Sequence, residues 1–81
     1  MSLVEFTEYL VKSITKNPDM VKVSSFASDE DVIMLEIIVD PEDKGAVIGK
    51  NGKNANAIRT LVQAHSYLNE NKKVKINIDS F

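Results

Sequence analysis

Cysteine is absent from this sequence, which excludes a disulfide framework, a thiolate metal site and a thiol nucleophile together. Tryptophan is absent too, and a single histidine, His65, leaves no second imidazole to share a metal. No apolar run approaches the ~20 residues that cross a bilayer. The opening residues, Met1 to Leu10, lack the basic start and apolar core of a secretory leader, so cytoplasm is the expected location. Proline occurs twice and glycine three times. There is no Pro/Gly/Ser-rich linker, low-complexity tract or internal repeat. One small domain over residues 1–81 is therefore expected. With 43% hydrophobic residues and a net charge of −2, the composition is not that of a disordered chain.

The small net charge hides an asymmetry. Residues 1–43 hold three lysines against ten acids, whereas residues 44–75 hold Lys44, Lys50, Lys53, Arg59, Lys72, Lys73 and Lys75 against Glu70 alone. The basic half suits an anionic partner. The same split fits two halves that attract each other, or faces that are simply solvated.

Ser2-Leu3-Val4-Glu5 has the form of a capping box. Leu3, Phe6, Leu10 and Ile14 follow at helical spacing, with Val4, Tyr9 and Val11 beside them as expected core. This helix should stop before Asn17-Pro18. Val21 to Ala27 reads as a strand, Ser28 to Asp31 as a polar turn, and Val32 to Val39 as the strongest strand. Its residues Ile33, Leu35, Ile37 and Val39 share one face, while Val32, Met34, Glu36 and Ile38 make a second, unusually apolar one. A short helix over Glu42 to Ile48 is expected after Asp40-Pro41. A longer one over Lys53 to Leu68 should bury Ala55, Ile58, Leu61, Val62, His65 and Leu68. Val74, Ile76 and Ile78 alternate with polar residues as a half-buried strand. The order helix, strand, strand, helix, helix, strand suits an α+β fold, a three-stranded sheet with helices packed on one face.

All three glycines fall in Gly45-Ala46-Val47-Ile48-Gly49-Lys50-Asn51-Gly52-Lys53. A phosphate loop of the G-x-x-x-x-G-K-[ST] type is excluded: three residues, not four, separate Gly45 from Gly49, and Asn51 follows Lys50. The dinucleotide fingerprint G-x-G-x-x-G is absent. Asn51-Gly52 is a hairpin signal only between strands, and here a helical pattern follows. What remains is I-G-x-x-G between two helices. Gly49 would end the first, where positive φ is common, and Gly52 would open the second. Such a corner is bare enough for a sugar-phosphate chain to approach. Amides at the start of the second helix suit a phosphate, and Lys50 and Lys53 add full charges.

In this setting V-I-G-K-N-G resembles the G-x-x-G loop of a KH domain, which clamps the backbone of about four nucleotides. The element order is similar to the type II, prokaryotic KH variant. The length and the run Ala57-Ile58-Arg59-Thr60-Leu61-Val62 resemble the small bacterial single-KH proteins of the KhpA/YlqC type. The resemblance covers nearly the whole chain. It implies single-stranded RNA held by Gly49, Lys50, Asn51 and Gly52, with Lys53 behind them. Val47 and Ile48, with part of Val32–Val39, would line or support the groove, and Lys44 and Arg59 would add phosphate contacts. It also implies a homodimer, or pairing with a larger Jag-type KH protein, and a role as RNA chaperone or post-transcriptional regulator, in some bacteria affecting cell elongation and division. Two positions depart from the family pattern. Ala46 stands where many members carry a basic or long polar residue, and Asn54 near where they carry isoleucine or a similar residue. Ala46 removes one phosphate contact, and Asn54 is expected to face solvent or to assist the helix start. The acidic net charge should make binding modest and salt-sensitive.

No enzyme is expected, because no nucleophile, base and metal constellation is present; no cofactor is implied. His65 is expected to be a packed side chain. Asp29, Glu30, Asp31, Glu42 and Asp43 are expected as solvated loop and helix-start carboxylates. None of Phe6, Tyr9, Phe26, Tyr67 and Phe81 lies in the glycine loop, so base stacking on exposed rings has no support. Lys72, Lys73 and Lys75 fit an extended basic surface or a lysine-protected edge strand equally well.

Overall fold

In the computed structural model the backbone is described over residues 1–81 and the side chains at every position except 28. Six main elements follow in order: α1 Leu3–Lys12, β1 Lys22–Asp29, β2 Val32–Val39, α2 Pro41–Ile48, α3 Lys53–Asn69 and β3 Lys73–Ser80. Single 3-10 turns occupy Pro18–Met20 and Lys50–Gly52. The order matches the sequence-based expectation.

The capping box forms as expected. Ser2 Oγ accepts from the Glu5 amide at 3.1 Å, and Glu5 Oε1 accepts from the Ser2 amide at 2.9 Å. The Ser2 amide holds the Glu5 carboxyl below its usual range. The helix then ends at Lys12, short of the proline limit. Ser13 Oγ donates to the Tyr9 carbonyl at 2.6 Å and Thr15 Oγ1 to the Lys12 carbonyl at 3.2 Å. Such side chains offer the backbone an alternative to the helix. The buried stripe is Leu3, Thr7 and Val11. Tyr9 is not core: it is 59% exposed. At about 100° per residue it lies on the far side of the helix from Thr7 and Val11. Thr7 is buried without penalty because its hydroxyl donates to the Leu3 carbonyl at 2.8 Å.

The sheet order is β1-β2-β3. β1 and β2 are antiparallel, joined by the tight turn at Glu30 and Asp31, and β2 and β3 are parallel. A parallel pair needs a long crossover, which α2 and α3 supply. The register aligns Val23, Ile37 and Ile78 in one row and Ser25, Leu35 and Ile76 in the next. This face carries the helices. Leu35, Ile37 and Val39 are fully buried there with Val11, Val47 and Val62. Each such side chain contributes about 1.5–3 kcal/mol relative to exposure. On the other face lie Val32, Met34, Glu36 and Ile38, all half-buried, beside Phe26, which is exposed.

In α3 the buried residues are Ile58, Val62 and Ser66. Leu61 and Leu68, expected in the stripe, are 49% and 86% exposed. Ser66 takes the core position because its hydroxyl finds the Lys72 carbonyl at 2.7 Å. His65 is a packed side chain as expected, its ring stacked on Phe6 at 4.8 Å.

Asp43 is a further correction. It is not solvated but buried, and its two oxygens accept the Lys16 and Asn17 amides, each at 2.9 Å. These amides have left α1 and would otherwise be unpaired. The carboxylate therefore ties the α1–β1 connection to the first turn of α2. The Lys16 amide is the main cause that holds its carboxyl below the usual value of 3.8, against the opposing effect of burial. A lowered folded value gives stability that is fully present above the unfolded value and lost as pH falls through the folded one. The melting temperature should be level above about pH 5 and drop below it. Asp43→Asn should melt several degrees lower at neutral pH and show a shallower acid limb, as read by circular dichroism melts across pH. Parallel acid limbs in both proteins would show that Asp43 does not contribute to acid sensitivity.

Candidate nucleic-acid interface

The glycine-bearing loop is built by how α2 ends and α3 begins. Asp40 caps α2, its Oδ1 accepting from the Glu42 amide at 2.9 Å. Pro41 occupies the first helical position, where its missing amide costs nothing. The helix closes at Gly49, whose amide donates to the Gly45 carbonyl at 2.8 Å. Gly49 adopts φ 75°, ψ 170°, a region essentially restricted to glycine. The chain then makes one tight turn. The Gly52 amide reaches the Gly49 carbonyl at 3.1 Å, and the Lys53 amide reaches the Lys50 carbonyl. Asn51 has φ 56° and Gly52 φ 75°. Three of the four loop residues thus have positive φ. That of Asn51 was not anticipated, although asparagine is among the side chains that best tolerate it.

A Cβ on Gly49 would lie 2.8 Å from Asn54 Cγ and 2.9 Å from Asn54 N. At Gly52 the nearest atom would be 3.9 Å away, so only its backbone conformation calls for glycine. Gly45 sits in α2 with nothing within 4 Å of its Cβ position; with Ala46 it makes a bare, exposed strip leading to the turn. Asn54 faces solvent, one of the two expectations for it, but sequence reasoning missed its second part. Exposed though it is, its Nδ2 donates to the Ala46 carbonyl at 2.7 Å. Only the chain fold, not a local motif, brings these two together.

The charges divide clearly. α1 carries Glu5 in its first turn, and α2 carries Glu42 and Asp43, as the helix dipole favours. α3 has no acid in its first turn and no side-chain cap. Instead Lys50 and Lys53, both exposed, stand at its positive end. Among the described residues neither is in an ion pair. Cations at a helix N-terminus are unfavourable unless an anion joins them. Lys44 and Arg59 differ. Lys44 Nζ lies 3.5 Å from Asp79 Oδ1, and the Asp79 carboxyl is held below its usual range, first by the Ser80 amide and then by Lys44. Arg59 Nη1 donates to Asn56 Oδ1 at 2.8 Å. Val47 is fully buried and Ile48 half-buried, so Val47 cannot itself line a groove, and neither residue lines the apolar one beside Asn54. An apolar groove lined by Leu10, Ile14, Ala57, Ile58 and Leu61 runs between α1 and α3 beside Asn54. Among the described residues no cluster of three metal-ligating side chains occurs, and no helix is long and apolar enough to cross a membrane.

Comparison with known proteins matches this geometry to a family. The family described as KhpA/KhpB, KH domain, matches residues 4–78. The RNA-binding protein KhpA of Clostridium perfringens is 46% identical over 74 residues, which are 91% of this chain and 96% of that protein. The RNA-binding protein KhpA of Streptomyces coelicolor is 48% identical over 62 residues, 76% of this chain and 77% of that one. In three dimensions the chain is similar to part of Era, in its crystal structure with MgGDPNP and nucleotides 1506–1542 of 16S ribosomal RNA. The TM-score is 0.73 at 23% identity, over 96% of this chain and 29% of that one. A variant of Aquifex aeolicus Era bound to GDP.AlF4- gives a TM-score of 0.74 at 22% identity, over 98% of this chain and 30% of that one. At that identity the likeness concerns the fold. With the helix–turn–helix corner at Gly49–Gly52, the mixed three-stranded sheet and a match over nearly its whole length, the chain belongs to the KhpA/KhpB KH-domain family.

Proposed function

We propose that this protein binds single-stranded RNA, without catalysis, by seating the sugar-phosphate backbone on the turn Gly49-Lys50-Asn51-Gly52. The observation that carries this reading is the reversed electrostatics of α3: an uncapped helix start with no acid, and two lysines that have no ion pair among the described residues. A phosphate there relieves the repulsion between Lys50, Lys53 and the helix dipole. The glycine backbone leaves room for it. Lys44 and Arg59 are already engaged by Asp79 and Asn56, and would add only the N–H donors those contacts leave over. The names of its relatives as RNA-binding proteins support the same reading. In this reading the protein acts in the cytoplasm as an RNA chaperone or post-transcriptional regulator, as a homodimer or beside a larger Jag-type KH partner.

Two lysines set the expected salt dependence. With about 0.7 counterions released per single-strand phosphate, affinity should fall roughly sevenfold between about 50 mM and about 200 mM salt. Fluorescence anisotropy with a short mixed-sequence single-stranded RNA measures this. No binding at the lower salt, or binding indifferent to salt, would sink the proposal.

A second reading, a module that chiefly pairs with protein, is favoured by one feature. The sheet face opposite the helices presents Phe26, 57% exposed, beside Met34. The two readings are compatible, since pairing would put two weak RNA grooves on one particle and raise avidity. Solution mass measured against concentration tests the pairing; a mass fixed at one chain throughout counts against it.

A further inference from the structure

We propose that Asn54 is a positioning residue that holds the Gly49–Gly52 turn in its binding shape before any RNA arrives. The inference rests on the RNA reading above and adds to it the device that preforms the site. Three observations carry it. First, α2 ends with carbonyls that have no partner within the helix. The Gly45 carbonyl is taken by the Gly49 amide, and the Ala46 carbonyl is taken by the Asn54 side chain at 2.7 Å. This bond spans the turn, joining the last turn of α2 to the second residue of α3. Second, the same side chain occupies the space over Gly49, with Cγ 2.8 Å from where a Cβ would stand. Asn54 thus restrains the turn by a hydrogen bond and by contact. Third, the turn has little else to hold it. Its own bonds are the Gly52 amide to Gly49 and the Lys53 amide to Lys50, it contains two glycines, and Lys50 and Asn51 are exposed.

The consequence is a matter of ordering entropy. A glycine-rich turn free to sample other shapes must lose that freedom on binding, and apparent affinity falls by the fraction in the competent shape. Asn54 removes that loss in advance. It need not touch RNA to do so.

The test uses the whole chain and two variants. Asn54→Leu keeps the size, removes the donor, and leaves α3 no weaker, since leucine is the better helix former. Asn54→Gln returns the amide on a longer stem. In the free proteins, 15N relaxation reports the order of the Lys50, Asn51 and Gly52 amides. Anisotropy then reads affinity for a mixed-sequence single-stranded RNA. In wild type the order parameters should be near about 0.85, and in Asn54→Leu they should drop toward about 0.6. Affinity should fall about fivefold, the size of one lost neutral hydrogen bond. Asn54→Gln should recover part of both. Unchanged loop order in Asn54→Leu overturns the inference, as does a loosened loop with full affinity. Wild type that binds no RNA, with a loop that loosens in Asn54→Leu, overturns the RNA reading alone and leaves Asn54 as the brace of the turn.

Discussion

Gly49→Ala should destabilise the protein by about 3 kcal/mol, while Gly52→Ala costs about 1 kcal/mol. The two glycines have the same φ of 75° but different surroundings. At Gly52 the backbone is left-handed with ψ 14°, and the added methyl meets nothing closer than 3.9 Å. Only the intrinsic cost of that conformation is felt. At Gly49, ψ of 170° places the residue where side chains are almost never found. The methyl would also stand 2.9 Å from the backbone nitrogen of Asn54. Removing the Asn54 side chain would not relieve that, so Gly49→Ala in an Asn54→Ala background should remain strongly destabilised. For a domain of this size total stability is about 4–12 kcal/mol, and the melting temperature of Gly49→Ala should drop by roughly 15 °C. Thermal melts of the three variants decide it. Equal losses at Gly49 and Gly52 would show that neither the ψ of Gly49 nor the approach of Asn54 adds to the shared cost of positive φ.

The contrast explains what could be read from the sequence. The capping box at Ser2, the run Val32–Val39 and the glycine corner are local patterns, and each appears in the structure where the pattern put it. The fold class followed from their order. Periodicity located the helices but not the centre of each buried stripe. Tyr9 and Leu68 are apolar residues on the outer faces of α1 and α3, Leu61 lies at the half-open groove between those helices, and Thr7 and Ser66 are polar residues at the centre of the buried faces. A hydroxyl that bonds to a backbone carbonyl loses its cost of burial, and composition cannot announce that. Contacts between distant parts of the chain were hidden altogether. Asp43 meets amides 26 and 27 residues away, and Lys44 meets a carboxylate 35 residues away. In the candidate site the residue types and their spacing were legible. The bond from Asn54 to Ala46 was not, because it exists only once α2 and α3 are packed at their angle.

Reversing charge on the turn should weaken RNA binding at least about a hundredfold, about 3 kcal/mol, in the variant Lys50→Asp, Asn51→Asp. One charge-assisted contact is lost, and two carboxylates are set against the phosphate path. The choice of residues protects the fold. Lys50 and Asn51 are exposed, and aspartate tolerates the positive φ that Asn51 adopts, so stability should stay within about 0.5 kcal/mol of wild type. Net charge is the competing explanation, and the chain contains its own control. Asn71 also has positive φ, at 55°, and Lys73 is exposed two residues later. The variant Asn71→Asp, Lys73→Asp therefore makes the same change in charge, with its asparagine at the same kind of backbone and its lysine at the start of β3. It lies beyond the other end of α3, whose 17 residues span about 25 Å. That is more than twice the screening length at about 0.1 M salt. Anisotropy titrations should show the control within about twofold of wild type at that salt, and the loop variant without measurable binding. If both variants lose affinity alike, RNA responds to overall charge and the turn is no clamp. If neither does, RNA binds elsewhere or not at all. The lysines at the start of α3 would then need an anionic protein partner to explain them.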